Sequence, residues 1–149
     1  MKNIKNHNIR TDVWYDTNEG YWLDIQDNIA RIGMSPLVQE TSGSFVAIKM
    51  NEVGAAHSKG ESFGSVEAEK HVGFLKMPVS GTIKAVNEKV LENARLLNLD
   101  PYGKGWLIEI EMSQFETEQA ELMKGEKKIT AWFESEITKY EEKGWLAEL

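Results

Sequence analysis

The chain predicts a mainly β (α+β) protein, a sheet sandwich or barrel followed by helix, and three features carry that expectation. Eight of the twelve glycines fall between Gly43 and Gly105. Short runs rich in Val, Ile and Phe lie among them, and short strands punctuated by glycine turns are the pattern of a sandwich or barrel. After Met112 the character changes, and apolar residues recur at helical spacing.

In chain order, strands are expected at Tyr21–Gln26, Ile29–Ile32, Phe45–Met50, Ser62–Glu69, Val72–Met77, Gly81–Val86 and Trp106–Glu111. Pro78-Val79-Ser80-Gly81 reads as the turn between two of them. The segment Glu88–Asn98 suits a short helix with Val90, Leu91, Ala94 and Leu97 on its buried side. Ser113 with Glu116 three residues later has the spacing of a capping box, so helices are expected over about 114–142. Within them Ile129, Trp132, Phe133, Ile137 and Tyr140 form one apolar stripe. Such a stripe either receives a partner or packs on the sheet, and the amphipathic pattern favours packing. No tandem repeat or linker interrupts the 149 residues, which read as a single domain, 1–149.

Composition narrows the function. Seventeen basic against twenty-four acidic residues give a net charge of −7, a poor match for a phosphate backbone, so no nucleic acid is expected. The absence of cysteine excludes disulfides, thiolate nucleophiles and zinc-thiolate or iron–sulfur sites. The basic start MKNIKNHNIR lacks the apolar stretch of a signal peptide, and no apolar run is long enough to span a bilayer. A cytoplasmic protein with no membrane partner is expected. His7, His57 and His71 show no ligand spacing, so no metal is expected. No nucleophile–base pair or phosphate loop is visible, and the chain does not read as an enzyme.

The informative stretch is SFGSVEAEKHVGFLKMPVSG, residues 62–81. It reads as two strands meeting at Ala68-Glu69-Lys70-His71, with Ala68 and His71 closing the turn and Val66 opposite Gly73. Without Asn-Gly or Asp-Gly, a type I turn is expected. A lysine at such a tip stands in water on a long stem, where an enzyme can reach and modify its amine. Glu67 lies three positions before Lys70, and Pro78-Val79-Ser80-Gly81 begins eight after it. That arrangement resembles the hairpin shared by biotinyl and lipoyl domains. Biotinyl hairpins flank the lysine with methionines; here Glu69 and His71 flank it, which resembles the lipoyl class. His71 is read as a solvated strand-edge residue, with a titratable neighbour of the arm as the alternative. Gly64, Gly73, Gly103 and Gly105 are read as structural positions.

The resemblance extends further. Gly33-Met34-Ser35, Gln39, Gly43, Val46, Glu52-Val53-Gly54, Gly60-Glu61-Ser62-Phe63-Gly64 and Val66-Glu67 fall without a gap onto the pattern of the glycine cleavage H protein family, and Lys70 falls on its lipoyl lysine. Val86-Asn87-Glu88 and Asn98-Leu99-Asp100-Pro101-Tyr102-Gly103-Lys104-Gly105-Trp106 resemble the family's V-N-E and N-x-x-P-Y-G-x-G-W signatures, which ordinary lipoyl domains lack. Tyr15 and Trp22 resemble its opening region, and the core of the match covers about 13–112. The resemblance implies a barrel-sandwich hybrid of two antiparallel sheets with C-terminal helices. It also implies lipoate joined to Lys70 as an amide, Glu67, Glu69 and His71 flanking it, and a monomeric carrier without catalysis of its own.

The implied partners are a lipoate ligase or lipoyl transferase, the pyridoxal-phosphate glycine decarboxylase, the aminomethyltransferase and dihydrolipoamide dehydrogenase. The aminomethyl group is the implied cargo. Some positions differ from the family: its L-G-D is Ser42-Gly43-Ser44, its L-P is Met50-Asn51, its opening histidine gives way to Gly20-Tyr21, and its S-V-K-A is Ala68-Glu69-Lys70-His71. The altered tip keeps two alternatives open. One is an H-like lipoate-binding protein that carries sulfur intermediates to a heterodisulfide-reductase-like complex in sulfur oxidation. The other is an unmodified protein-interaction module.

Overall fold

The computed structural model describes residues 1–144, the side chain of Gln39 excepted. A first hairpin joins β1 (Lys2–Ile4) to β2 (His7–Ile9). Its turn residues Lys5 and Asn6 have φ of 47° and 70°, as a type I′ turn requires. The strands β3 (Trp14–Asp16), β4 (Tyr21–Gln26) and β5 (Ile29–Met34) form a meander, followed by α1 (Pro36–Ser42). Pro36 stands at the first helical position, where its missing N–H has no helical partner to lose. Next come β6 (Phe45–Met50), β7 (Ala56–His57), β8 (Ser62–Ala68), β9 (His71–Lys76) and β10 (Gly81–Val86). The chain continues through α2 (Glu88–Glu92), α3 (Leu96–Leu99), β11 (Ile108–Met112), α4 (Phe115–Glu118) and α5 (Glu126–Lys143).

The two expected antiparallel sheets are present: six strands in the order β3-β4-β5-β11-β10-β7, and three in the order β6-β8-β9. Their facing sides share one core, in which Tyr21, Leu23, Ile32 and Ile110 meet Phe45, Phe63, Val66 and Leu75. The two-residue period of a strand sends alternate side chains of β4 the other way. Trp22 therefore joins Tyr15 in a second core, closed by Ile129, Phe133 and Ile137 of α5 and by Ile4 and Ile9 of the first hairpin. Phe133 stands edge-on to Tyr15, ring centroids 5.2 Å apart.

The helical stripe thus divides. Ile129, Phe133 and Ile137 are core as expected, whereas Trp132 and Tyr140 are only half-buried. Three further expectations are corrected. The Glu88–Asn98 helix breaks at Asn93 into α2 and α3, so helical register is lost and Leu91 is exposed while Val90, Ala94 and Leu97 stay buried. Ser113 does not cap a helix: its N–H donates to the Ser80 carbonyl (3.0 Å), and α4 starts after Gln114 with no side-chain cap. The last strand begins at Ile108, two residues after Trp106, whose ring lies 4.5 Å under the Arg31 guanidinium.

The N-x-x-P-Y-G-x-G-W stretch fastens the second core to the first. The Trp22 indole N–H donates to the Pro101 carbonyl (3.0 Å). The Tyr102 hydroxyl donates to Tyr15 Oη (2.7 Å), which donates in turn to the Arg10 carbonyl (2.8 Å). Burial pushes both phenols up, Tyr102 to about 12, so the chain of donors stays protonated at neutral pH. A side chain at Gly105 would bring its Cβ within 2.5 Å of the Leu96 carbonyl, so the turn admits none. Among the described residues no helix is long and apolar enough to cross a membrane.

Candidate functional site

The strands β8 and β9 pair Ala68 with His71, Glu67 with Val72 and Val66 with Gly73, which leaves Glu69 and Lys70 as the two turn residues. Neither has positive φ; among the described non-glycine residues only Lys5, Asn6 and Asp27 do. The type I′ geometry is therefore absent, as expected. A type I turn suits the twist of paired strands poorly, and this hairpin is held from outside.

The holding segment is Ser42–Phe45, at the end of α1. The Lys70 N–H donates to the Ser42 carbonyl (3.0 Å) and the Glu69 N–H to the Ser44 carbonyl (3.1 Å). In return the Ser44 N–H donates to Glu69 Oε1 (2.7 Å). Gly43 lies between them at φ +78°, and a Cβ there would stand 3.1 Å from the same carboxylate oxygen. Asn98 of α3 fixes the segment from behind: its Nδ2 donates to the Gly43 carbonyl and its Oδ1 accepts from the Phe45 N–H, both at 2.9 Å. The Ser44 N–H holds the Glu69 carboxyl below the usual glutamate range.

Lys70 itself is exposed, and among the described residues its ammonium makes no hydrogen bond or ion pair. Glu67 sits on the outer sheet face between Ala47 and Val72. His71 is exposed, with its ring lying back along the strand so that a Cβ on Gly73 would stand 2.9 Å from Nε2. On the other strand Gly64 admits the Lys49 carbonyl where a Cβ would clash at 2.1 Å.

Beside the tip opens a cleft of about 350 Å³, lined by Glu19, Tyr21, Lys70, Phe74, Trp132 and Glu136 among others. Sequence reasoning did not reach Glu19 or Glu136, and it singled out Asn98 only as the first residue of the N-x-x-P-Y-G-x-G-W resemblance, without its role behind the tip. Burial, and then the charge of Asp16, raises the Glu19 pKa, so its carboxylate lacks full solvation. Glu136 is hydrogen-bonded to the Tyr140 hydroxyl. The half-buried Trp132 and Tyr140 thus turn toward the site, and the helical spacing that placed them in the stripe gave no sign of it. Among the described residues no group of three or more His, Cys, Asp or Glu side chains could hold a metal ion.

An acyl group on Lys70 fits this arrangement. Forming an amide removes the ammonium charge, and among the described residues that charge makes no hydrogen bond or ion pair that would be lost. The lysine is held in its backbone by two hydrogen-bonded neighbours and its side chain extends into water.

The model of the glycine cleavage H-protein family matches residues 13–135. The glycine cleavage system H protein of Carboxydothermus hydrogenoformans is 43% identical over 110 residues, covering 74% of this chain and 84% of the relative. That of Corynebacterium jeikeium is 39% identical over 120 residues, covering 78% and 91%. In three dimensions the chain is similar to the crystal structure of a glycine cleavage system H protein from Mycobacterium marinum. The TM-score is 0.66 at 35% identity, over 70% of this chain and 87% of that one.

Proposed function

This chain belongs to the glycine cleavage H-protein family, whose members carry lipoate covalently on a lysine, and we propose that Lys70 is the attachment residue and an aminomethyl group the cargo. The observation that carries the reading is the Lys70 ammonium, exposed and, among the described residues, without a hydrogen bond or ion pair, at the tip of a hairpin whose backbone is held on both sides. When bound, lipoate supplies a dithiolane that opens to a dithiol and takes up a group, chemistry that belongs to the cofactor and to the enzymes that act on it.

The residues of this chain do the rest. Lys70 Nζ provides the amide, and the four-carbon stem gives the tethered group its reach. Tethering keeps that group at high effective concentration beside any docked partner. Ser42, Ser44 and Glu69 keep the root of the arm from wandering. The cleft next to the root, with Trp132 and Phe74 among its apolar lining and Glu19 and Glu136 among its carboxylates, offers the arm a partly dry surface.

In this reading the chain is a single carrier domain, monomeric and cytoplasmic. A lipoate ligase or lipoyl transferase modifies it, and glycine decarboxylase, aminomethyltransferase and dihydrolipoamide dehydrogenase visit it. The names of the relatives favour the aminomethyl cargo over sulfur intermediates. The test is intact-protein mass spectrometry after co-expression with a lipoate ligase and free lipoate. One lipoyl-sized increment that disappears in Lys70→Ala is expected. No increment, with a control domain modified in the same cells, overturns the reading.

A further inference from the structure

Two residues at which the tip departs from its family's pattern, Ser44 and Glu69, are each other's partners, and a third, Ser42, meets the backbone of the lysine itself. Ser42 and Ser44 replace Leu and Asp of the L-G-D motif, and Glu69 replaces the Val before the lysine. Through space, the Ser42 carbonyl accepts from the Lys70 N–H, the Ser44 carbonyl from the Glu69 N–H, and the Glu69 carboxylate from the Ser44 N–H. A hydrogen bond to an ionised acceptor is stronger than one between neutral groups, and the 2.7 Å contact is the shortest of the three. It is also the one made by a side chain, so it exists because residue 69 is glutamate.

We propose that Glu69 is a positioning residue, whose carboxylate fastens the lysine hairpin to the Ser42–Ser44 loop and so sets the direction in which Lys70 meets the enzyme that acylates it. This rests on the reading of Lys70 as the attachment residue. Both turn residues have negative φ, so the turn does not impose the strand twist that an Asn-Gly turn would. The strand pairing ends at Ala68–His71, one step before the lysine. Beyond that point the direction of the tip depends on the two backbone contacts and the carboxylate clasp, and Asn98 anchors the far side of the loop. A preset tip meets a modifying enzyme with its geometry already paid in folding. A loose tip must be ordered at each encounter, which raises KM and leaves the chemical step unchanged.

Removing the clasp should therefore separate KM from kcat. With purified full-length protein, a lipoate ligase, ATP and free lipoate, Glu69→Ala is expected to raise the KM of the ligase for this protein about fivefold, the size of ordering one side chain at an interface. The kcat stays within about twofold, since the attacking amine is unaltered. Glu69→Gln restores most of the wild-type KM, because its amide oxygen still accepts from the Ser44 N–H.

A second measurement uses the unmodified protein. In wild type the Ser44 amide resonance follows the ionisation of Glu69, whose other charged neighbours are Lys70 and Arg95. In Glu69→Gln that titration vanishes. Amide exchange at Ser44 and Lys70 quickens about tenfold in Glu69→Ala as the tip opens locally. Modification of Glu69→Ala at the wild-type KM, or unchanged exchange at both amides, overturns the positioning role and leaves Lys70 standing. Failure of the wild type to be modified beside a working control overturns both.

Discussion

Replacing Phe133 with alanine tests the second core. The side chain is fully buried and stands edge-on to Tyr15 at 5.2 Å and to Trp132 at 4.7 Å. Emptying such a site costs about 3–5 kcal/mol, transfer and cavity together. For a chain of this size each kcal/mol lowers Tm by about 2–4 °C, so a fall of roughly 6–20 °C is expected. Thermal unfolding followed by circular dichroism, with a urea titration at 25 °C, measures it. Modification at Lys70 should persist at temperatures where the variant is folded, because the hydrogen bonds that hold the tip come from Ser42, Ser44 and Asn98 and none from α5. A fall of less than about 3 °C would mean that α5 is not part of the cooperative unit. Loss of modification in a folded variant would mean that the two regions are not separable as described.

Lys70→Arg keeps the charge but not the acylable amine, so mass spectrometry should find no lipoyl increment and unfolding should shift by less than about 0.5 kcal/mol. Asn98→Ala removes two hydrogen bonds to the loop behind the tip, and a urea titration should show a loss of about 1–3 kcal/mol. Tyr102→Phe leaves Tyr15 its bond to the Arg10 carbonyl but removes one donor, and should cost about 1 kcal/mol in the same assay. Glu19 has a raised pKa in the folded state, so the native protein binds the extra proton and stability falls as pH rises from the ordinary value of 4.5 through the raised one. Glu19→Gln should flatten that stretch of the stability profile and stabilise the protein at pH 7 by less than about 1 kcal/mol, the group being largely solvent-screened.

What could be read from sequence follows from range. Tyr21–Gln26, Phe45–Met50 and Gly81–Val86 have the bounds expected of them, because each joins β-forming residues to a clear turn signal. The hairpin tip was legible for the same reason: counting outward from Glu69 and Lys70 gives the observed register. The first hairpin was not, since its strands KNI and HNI are three residues each and its turn is Lys5-Asn6 without glycine. The clasp was not either. Glu69 and Ser44 are 25 residues apart, and nothing local marks a glutamate at a turn as the acceptor of a distant N–H. Trp132 and Tyr140 share the spacing of the core stripe, so periodicity alone assigned them to packing. They lie at its margin, and only the path of α1 and β9 decides that this margin faces the cleft.

The family match ends at residue 135 and begins at residue 13, yet the parts beyond it meet each other. Ile4 and Ile9 of the first hairpin pack in the same core as Ile137, and the Lys2 and Lys5 ammonium groups donate to the Thr130 and Thr138 hydroxyls of α5. The hairpin thus helps close the core in which Ile137 is buried, and a helix end with no tertiary support frays. The neighbours of Ile137 on the helix matter to the cleft: Glu136, one position before it, and Tyr140, three after, contribute to the wall beside Lys70 only while the helix continues past its family-matched portion. The hairpin at one end of the chain and the helical extension at the other therefore act as one unit. Glu136 and Tyr140 of that extension line the cleft beside Lys70, and the hairpin packs in the core behind them.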